Sequence, residues 1–429
     1  MKKLLISATL CLLVTASFAQ KKAVKDAKSA LGSKNYTEAT TLIKPALTDP
    51  ETANDPETWK LAGDIGYKQF DEEYQKQILK QATDDNKMYT GLLDSYEPYL
   101  KADQLGELPD EKGKVKNKVR KEIATNLRFA YPYFQNGGAI NFEKKDYAKA
   151  VTYFQIYWDM PNLPMFNNEA DKKFFATQDT LIQTIKYYAA ISALYSGNSA
   201  QAVSLLKRIA QEPFIANPTY KENEVYELIA DEYRKANDSV AYVQALQDGA
   251  KKFPRSTYFI PNLVNEYIKN GQLDQALLYL DEAIKNDPSN ACDFNSVKAS
   301  IYANRNEFDK SEEFYNAALA ADPNCERALE GLAVAYILKA QDLKDQAYKK
   351  SDRKEQVALD NQANDLYKKA YPLLERFKAL LIARQADKND IKQAIIKLRN
   401  VYYNLNMPEY DKTEEELKKY KTEEEMIKE

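Results

Sequence analysis

Residues 263–288, LVNEYIKNGQLDQALLYLDEAIKNDP, carry the pattern that decides the fold. Two stretches with apolar side chains at three- and four-residue spacing flank the polar turn Lys269-Asn270-Gly271, and Pro288 ends the second stretch. This spacing places the apolar side chains on one face of a helix, and proline stops a helix because it has no N–H to donate. The stretch therefore predicts two amphipathic helices joined by a short turn.

The pattern recurs along the chain. Prolines end successive units at Pro254, Pro288 and Pro323, which are 34 and 35 residues apart. The second helices share a spacing in which a small residue is followed four positions later by a large apolar one. The residues that open this spacing are Ala39, Ala150, Ala202, Tyr242, Ala276, Ser311 and Ala363, with one tyrosine among small residues. Small residues let two helices approach closely, so we expect stacked helix pairs that share a core.

These units resemble the tetratricopeptide repeat, a 34-residue helix–turn–helix. The resemblance is strongest from about residue 220 to 324. It implies an all-α fold, a right-handed superhelical solenoid of antiparallel helix pairs. Long charged helices after Pro56 and Arg327 predict one or two elongated helical hairpins. The residues that carry the resemblance are Leu263, Val264, Tyr267, Gly271, Ala276, Ala283 and Pro288, then Trp59, Ala62 and Gly63, and the turns Asn35-Tyr36-Thr37-Glu38-Ala39 and Asp146-Tyr147-Ala148-Lys149-Ala150.

Shifts in composition divide the chain into segments. Gly106, Pro109 and Gly113 lie among polar residues, which predicts a linker or hinge. The segment 158–178, with two prolines, is expected to form a long inter-repeat loop. The predicted segments are a signal peptide at 1–19, N-terminal helical repeats at 20–104, the linker at 105–118, middle repeats at 119–215, a C-terminal repeat array at 216–407, and a charged tail that starts as a capping helix at 408–429.

The first residues have the pattern of a secretory signal peptide. Basic residues at 2–3 precede an apolar run at 4–14, and Ser17-Phe18-Ala19 supplies small residues for cleavage. The apolar run is too short to span a membrane as a helix. We therefore expect an exported protein, with the periplasm as its first expected location. Outer-membrane association and an extracellular position stay open.

Composition narrows the functional classes. The chain of 429 residues contains no histidine, which removes histidine-dependent nucleophilic catalysis and every histidine-based metal site. The net charge of −3 disfavours binding to nucleic acid or to an anionic membrane surface through a basic face. No residues mark a glycosidase-type pair of carboxylates. We predict a protein that is not an enzyme, with no catalytic residue, metal or cofactor.

Two of the three cysteines lie about one repeat apart. Cys11 falls in the leader, whereas Cys292 and Cys325 fall on neighbouring stacked helices. Packed helix axes are roughly 8–10 Å apart, and a disulfide needs Cα atoms within about 7 Å. In an oxidising compartment the two cysteines could pair as a disulfide. The spacing between helices favours two packed thiols.

A stack of helix pairs offers a curved surface for extended partners. We predict a protein-interaction scaffold or adaptor of the bacterial cell envelope that binds partner proteins or peptides. The alternative is a glycan-binding helical-repeat protein of outer-membrane nutrient capture. The identity of the partner and the oligomeric state stay open.

The resemblance also assigns candidate partner-binding residues, because the first helices of tetratricopeptide repeats line the concave groove. Asparagine amides there can hold an extended peptide backbone. The candidates are Tyr258, Asn262, Asn265, Lys269, Asp293, Ser296, Ser300, Arg327 and Glu330.

The chain also has 31 tyrosines, which the repeat pattern divides into two groups. The off-pattern residues Tyr131, Tyr133 and Tyr258 are expected at the surface. The tyrosines expected to pack between helices are Tyr36, Tyr147, Tyr267, Tyr302, Tyr315 and Tyr367.

Overall fold

The computed structural model describes residues 21–420, which form helices and turns without any β-strand. The chain divides into two compact units, unit 1 ending at Glu232 and unit 2 beginning at Tyr233. The predicted all-α fold of paired helices is confirmed in each unit. The predicted signal peptide at 1–19 and the end of the charged tail at 421–429 lie outside the described residues.

Unit 1 is built from successive helix pairs, of which α3–α4, α5–α6 and α8–α9 are the clearest. The helix α10 runs across the division between the two units. The helices are α1 (21–32), α2 (Tyr36–Ile43), α3 (Pro56–Ile78), α4 (Asp85–Gly106), α5 (Arg120–Glu143), α6 (Tyr147–Asp159), α7 (Glu169–Ala176), α8 (Asp179–Tyr195), α9 (Ser199–Gln211) and α10 (Glu222–Lys235).

Unit 2 continues the pattern with the pairs α12–α13, α14–α15, α16–α17 and α18–α19. The hairpin α3–α4 has helices of 23 and 22 residues, and α16–α17 has helices of 24 and 31 residues, which confirms the predicted elongated hairpins. The helix α5 of unit 1, with 24 residues, is as long. The helices are α11 (Ser239–Lys252), α12 (Phe259–Lys269), α13 (Leu273–Asn286), α14 (Ala291–Asn304), α15 (Phe308–Ala321), α16 (Glu326–Lys349), α17 (Arg353–Ala383), α18 (Lys388–Asn404) and α19 (Glu409–Lys418).

A recurring turn reverses the chain between the two helices of a pair. Before α6, Lys145 has a φ of 62° and Asp146 accepts the backbone N–H of Lys149. Before α9, Gly197 has a φ of 78° and Asn198 caps the helix in the same way. The positive φ ends one helix, and the capping oxygen satisfies an N–H that the next helix leaves unpaired.

Small residues bring α3 and α4 together at one point. A Cβ added to Gly66 would lie 2.5 Å from the carbonyl oxygen of Gly91, and one added to Gly91 would lie 2.7 Å from that of Gly66. Because both neighbours are backbone atoms, neither helix can yield to a larger residue without moving. This pair of glycines therefore sets the spacing of the hairpin.

The predicted linker connects α4 to α5 and is fastened at its ends. Arg120 donates from Nε and Nη2 to the carboxylate of Asp103 at 2.7 and 2.8 Å. The side-chain amide of Asn117 donates to the backbone carbonyl of Asp103 at 3.0 Å. A hinge motion of this segment stays a prediction, and it would have to break this network.

The prediction of a long irregular loop at 158–178 is wrong, because much of this segment is helical. The segment contains α7 and two short 3₁₀ turns, Met160–Asn162 and Pro164–Phe166. Asn168 caps α7 by accepting the backbone N–H of Asp171 at 3.0 Å. The prolines thus begin short turns and do not keep the whole segment irregular.

The C-terminal part of unit 2 ends in the predicted capping helix, α19. Thr413 of this helix is buried. Among the described residues, no helix has both the length and the apolar character needed to cross a membrane.

Candidate functional site

Three grooves open on the surface that α12, α14, α16 and α18 line, which we name the first-helix face of unit 2. The α12–α14 groove has a volume of about 370 Å³, the α14–α16 groove about 940 Å³ and the α16–α18 groove about 570 Å³. Each is large enough for one or more side chains of a ligand.

The α12–α14 groove has an apolar floor and a charged rim. Its floor includes the buried residues Ile260 and Val264, and the half-buried Phe294 lies on its wall. Arg255 and Asp287 lie at its edge. An apolar floor beside fixed charges favours a ligand that carries both apolar and polar groups.

The α14–α16 groove is shaped by a tyrosine packed against a glycine. A Cβ on Gly331 would collide with the ring of Tyr315, so only glycine leaves room for that ring. The hydroxyls of Ser300 and Tyr315 lie 3.0 Å apart, and burial raises the pKa of Tyr315. Phe308 and Leu338 add apolar surface to the lining. The groove therefore presents apolar side chains beside a hydrogen-bonded pair of hydroxyls.

The α16–α18 groove is charged. Arg384 donates to both carboxylate oxygens of Glu326 at 2.8 and 3.0 Å, and this contact raises the pKa of Arg384. Lys397 donates to Glu330 at 2.9 Å. Asp390 also lines the groove. The pairs link α16 to the residue that follows α17 and to α18, so they shape the groove as well as charge it.

Arg327 lies where the three grooves meet, since it lines all of them. Its guanidinium lies 3.9 Å from a carboxylate oxygen of Asp293, and both side chains are more than half exposed. At this distance the contact is an ion pair, too long for a hydrogen bond. Exposed pairs of this kind contribute little to stability, which leaves Arg327 available for a ligand.

The structure brings five of the nine candidate residues to these grooves and separates the others from them. Lys269 is exposed outside the three grooves and contacts Glu266 at 3.7 Å. Asn262 donates to the backbone carbonyl of Tyr258 at 2.7 Å, and both residues are half-buried. The five that line grooves are Asn265, Asp293, Ser300, Arg327 and Glu330.

Ser296 is a correction to the candidate set. Its side chain is fully buried, and its hydroxyl donates to the backbone carbonyl of Cys292 at 2.8 Å. It lies 3.6 Å from the sulfur of Cys325. The helical phase of α14 predicts a position on the first-helix face, but the chain entering α16 covers it.

The expectation of two packed thiols is also wrong, because Cys292 and Cys325 form a disulfide. Their Cα atoms are 6.0 Å apart. Cys325 precedes α16 with non-helical backbone angles, so the distance between packed helix axes does not limit it. The chain can approach the first turn of α14 more closely there than two helices can.

The tyrosines follow the repeat pattern only in part. Some repeat tyrosines are half-buried, and so are two that are expected at the surface: Tyr36, Tyr147 and Tyr302, then Tyr133 and Tyr258. Tyr267, Tyr315 and Tyr367 are buried between helices. Tyr131, expected at the surface, is instead 1% exposed, and its ring stacks on Tyr157 with centroids 4.0 Å apart. It is covered by Phe175 of α7, the helix that the sequence did not reveal.

Unit 1 carries an aromatic cluster on two of its first helices, a feature that sequence reasoning missed. Phe70 and Tyr74 of α3 meet Phe129 and Tyr133 of α5, with ring centroids as close as 5.0 Å. Phe70 is fully buried and Phe129 is 41% exposed. The four-residue spacing on both helices is the signal that would have found it, because such residues share a helix face.

Stacked helix pairs with grooves on the first helices define an α-helical repeat protein. Residues 262–324, which contain α13, α14 and α15, match the tetratricopeptide repeat family. The match falls within the part of the chain where the sequence pattern shows the strongest resemblance to this repeat. No curated protein matches the chain.

Solved structures of tetratricopeptide repeat proteins are similar at low identity. The C-terminal part of one from Cytophaga hutchinsonii is 14% identical, with 64% of this chain and 93% of that chain covered and a TM-score of 0.35. One from Bacteroides fragilis is 17% identical, with 63% and 98% covered and a TM-score of 0.33.

Proposed function

We propose that this protein is a scaffold or adaptor that binds an extended segment of a partner protein along the first-helix face of unit 2. The observation that carries the proposal is the meeting of three grooves at one exposed cation, Arg327. Curved surfaces built from repeats are suited to such extended ligands.

The chemistry of the grooves favours a protein segment as the ligand. The apolar floor of the α12–α14 groove accepts an aliphatic or aromatic side chain. The exposed amide of Asn265 lies on the same groove and offers both a donor and an acceptor to a peptide backbone. Arg327 and Glu330 favour a segment that carries charges of both signs.

A binding role suits the acidic residues better than catalysis does. Glu326 and Glu330 are each held by a cation, Arg384 and Lys397. These pairs link α16 to the residue that follows α17 and to α18, so both carboxylates have a role in shaping the groove. We therefore infer that the protein acts by binding and is not an enzyme.

We propose the periplasm as the place of action, with outer-membrane association or secretion as other sites of an exported protein. The support is the sequence at 1–19, with its basic start, apolar run and small residues before a cleavage point. The proposed partners are accordingly proteins of the cell envelope.

Charge removal at Arg327 tests the binding surface. The change Arg327→Gln should weaken capture of a crosslinked partner about tenfold, since arginine at the centre of an interface often dominates binding energy. The matched control is Lys285→Gln, which removes an exposed cation on the second helix α13. Partner recovery is measured by crosslinking in the native cell and quantitative mass spectrometry. Equal recovery from both variants would contradict the proposal.

The aromatic cluster of unit 1 favours glycan binding as the second candidate function. Phe129 presents 41% of its surface beside Tyr74 and Tyr133, and sugar rings stack on exposed aromatic faces. Binding to a glycan array that is lost in Phe129→Ala and kept in Arg327→Gln would favour this function. Absence of binding by the native protein would remove it.

A further inference from the structure

We propose that the disulfide between Cys292 and Cys325 is a reducible clasp that controls the shape of the first-helix face of unit 2. The effect of the clasp on partner binding rests on the proposed function. The clasp itself does not, because its opening is a property of this chain alone.

The disulfide encloses one complete helix pair. Cys292 is the second residue of α14, and Cys325 follows α15 and immediately precedes α16. The two cysteines are 33 residues apart, so the closed loop contains α14, its turn and α15. In a repeat protein each pair is held mainly by its neighbours. A covalent link across one pair therefore fixes the start of α14 against the start of α16.

The disulfide lies in the lining of a groove. Both cysteines line the α16–α18 groove. Cys292 is half-buried, whereas Cys325 is 2% exposed. A small thiol that enters the groove therefore meets the sulfur of Cys292 first. Occupation of the groove by a ligand would shield the same sulfur.

The surroundings stabilise the reduced form. Cys325 is the capping residue of the 24-residue helix α16, and Cys292 lies in the first turn of α14. Helix N-termini lower the pKa of a thiol, and a disulfide whose thiolates are stabilised is more easily reduced. The Ser296 hydroxyl lies 3.6 Å from the sulfur of Cys325 and donates to the backbone carbonyl of Cys292 while the disulfide is closed. After reduction its one hydrogen can turn from that carbonyl to the Cys325 thiolate. Two helix ends and this hydroxyl thus favour opening.

The reaction is a pair of thiol–disulfide exchanges. A thiolate RS⁻ attacks the sulfur of Cys292, forms a mixed disulfide there and releases Cys325 as a thiolate. A second RS⁻ attacks the mixed disulfide, releases Cys292 as a thiolate and leaves as RS–SR. The two cysteines together gain two electrons, and each takes one proton from solvent to become a thiol.

Opening the clasp changes the groove lining directly. Asp293 follows Cys292 in the chain, and both Asp293 and Arg327 line the α12–α14 and the α16–α18 grooves. The ion pair between them spans 3.9 Å and is exposed, so it cannot replace the covalent link. In the reduced protein the first turns of α14 and α16 are free to separate, and the two grooves lose their common wall.

A redox titration of the full chain tests how readily the clasp opens. The protein is equilibrated in glutathione buffers of graded composition, and free thiols are counted by alkylation and mass spectrometry. We expect the native protein to be reduced without denaturant, and Ser296→Ala to lower the equilibrium constant for reduction about threefold. A disulfide that opens only in denaturant, or an unchanged constant in Ser296→Ala, would overturn the proposal.

Hydrogen exchange tests the structural effect. Amides in the second turn of α14 and of α16, which are the first with a helical acceptor, should exchange about fivefold faster in the reduced protein than in the oxidised one. The double variant Cys292→Ala/Cys325→Ala should exchange like the reduced protein with or without reductant. Equal exchange in the oxidised and reduced protein would refute a clasp. No partner is used, so failure here leaves the proposed function standing, and loss of that function leaves this result intact.

Discussion

The first helices of the two units use aromatic residues in opposite ways. In unit 1, α3 and α5 close on each other through four rings, with Phe70 fully buried at the centre. In unit 2, α12 and α14 leave an open groove of about 370 Å³, and Phe294 lies on its wall. Rings on both facing helices fill the space between them, whereas aliphatic and charged residues leave a place for a ligand.

Removal of one ring from each region should have very different effects on stability. Phe70→Ala should lower the free energy of unfolding by about 3–4 kcal/mol, because it leaves a cavity in packed surroundings. Phe294→Ala should cost only about 1 kcal/mol, since its side chain already borders open space. Guanidinium chloride denaturation measures both. Equal losses would mean that the groove wall is as tightly packed as the aromatic cluster.

Part of this contrast is present in the sequence. The helix pairs, the elongated hairpins and the buried repeat tyrosines follow from apolar spacing and small residues, because these depend on contacts between neighbouring segments. The residues that open the repeat spacing illustrate this, because they include the fully buried Ala39, Ala150, Ala202 and Ala276.

The errors have a common physical origin. Tyr131 is covered by α7, which lies in a proline-containing segment without the repeat spacing. Because the sequence pattern does not predict α7, it places Tyr131 at the surface. Ser296 was expected on the groove because the covering chain near Cys325 is not helical. Contacts made by segments that lack the repeat spacing cannot be obtained from the periodicity of the repeats. The grooves were missed for a similar reason, since their volume depends on how successive pairs stack.

The close contact between α3 and α4 at their glycines can be tested by adding a methyl group. Gly66→Ala should destabilise the protein by about 1–2 kcal/mol, because the added Cβ meets backbone and outweighs the gain in helix propensity. The control is Gly32→Ala, where nothing lies within 4 Å of the added carbon. This control should keep or slightly raise stability. A stabilised Gly66→Ala protein in thermal denaturation would show that the two helices are not in close contact.

The smallest expected change in stability comes from the titration of Tyr133 in the aromatic cluster at alkaline pH. Burial, and then the neighbouring Tyr74, raise the pKa of Tyr133 to about 12, against about 10 in the unfolded chain. The folded state keeps this proton longer, so the stability it contributes is present below pH 10 and is lost as pH rises through 12. Tyr133→Phe should therefore lose less stability between pH 10 and 12 than the native protein. The check is denaturation at pH 9 and pH 11, and parallel losses would contradict the assignment.

The first-helix face of unit 2 is the proposed binding surface for the partner. The most direct measurement is photo-crosslinking in the cell, with a benzoylphenylalanine placed in turn at Val297, at Gln393 and at Leu278. Val297 and Gln393 line two grooves, whereas Leu278 is 62% exposed on the second helix α13. The account predicts the same protein adduct from Val297 and Gln393 and none from Leu278. An adduct confined to Leu278, or equal adducts from all three positions, would contradict it.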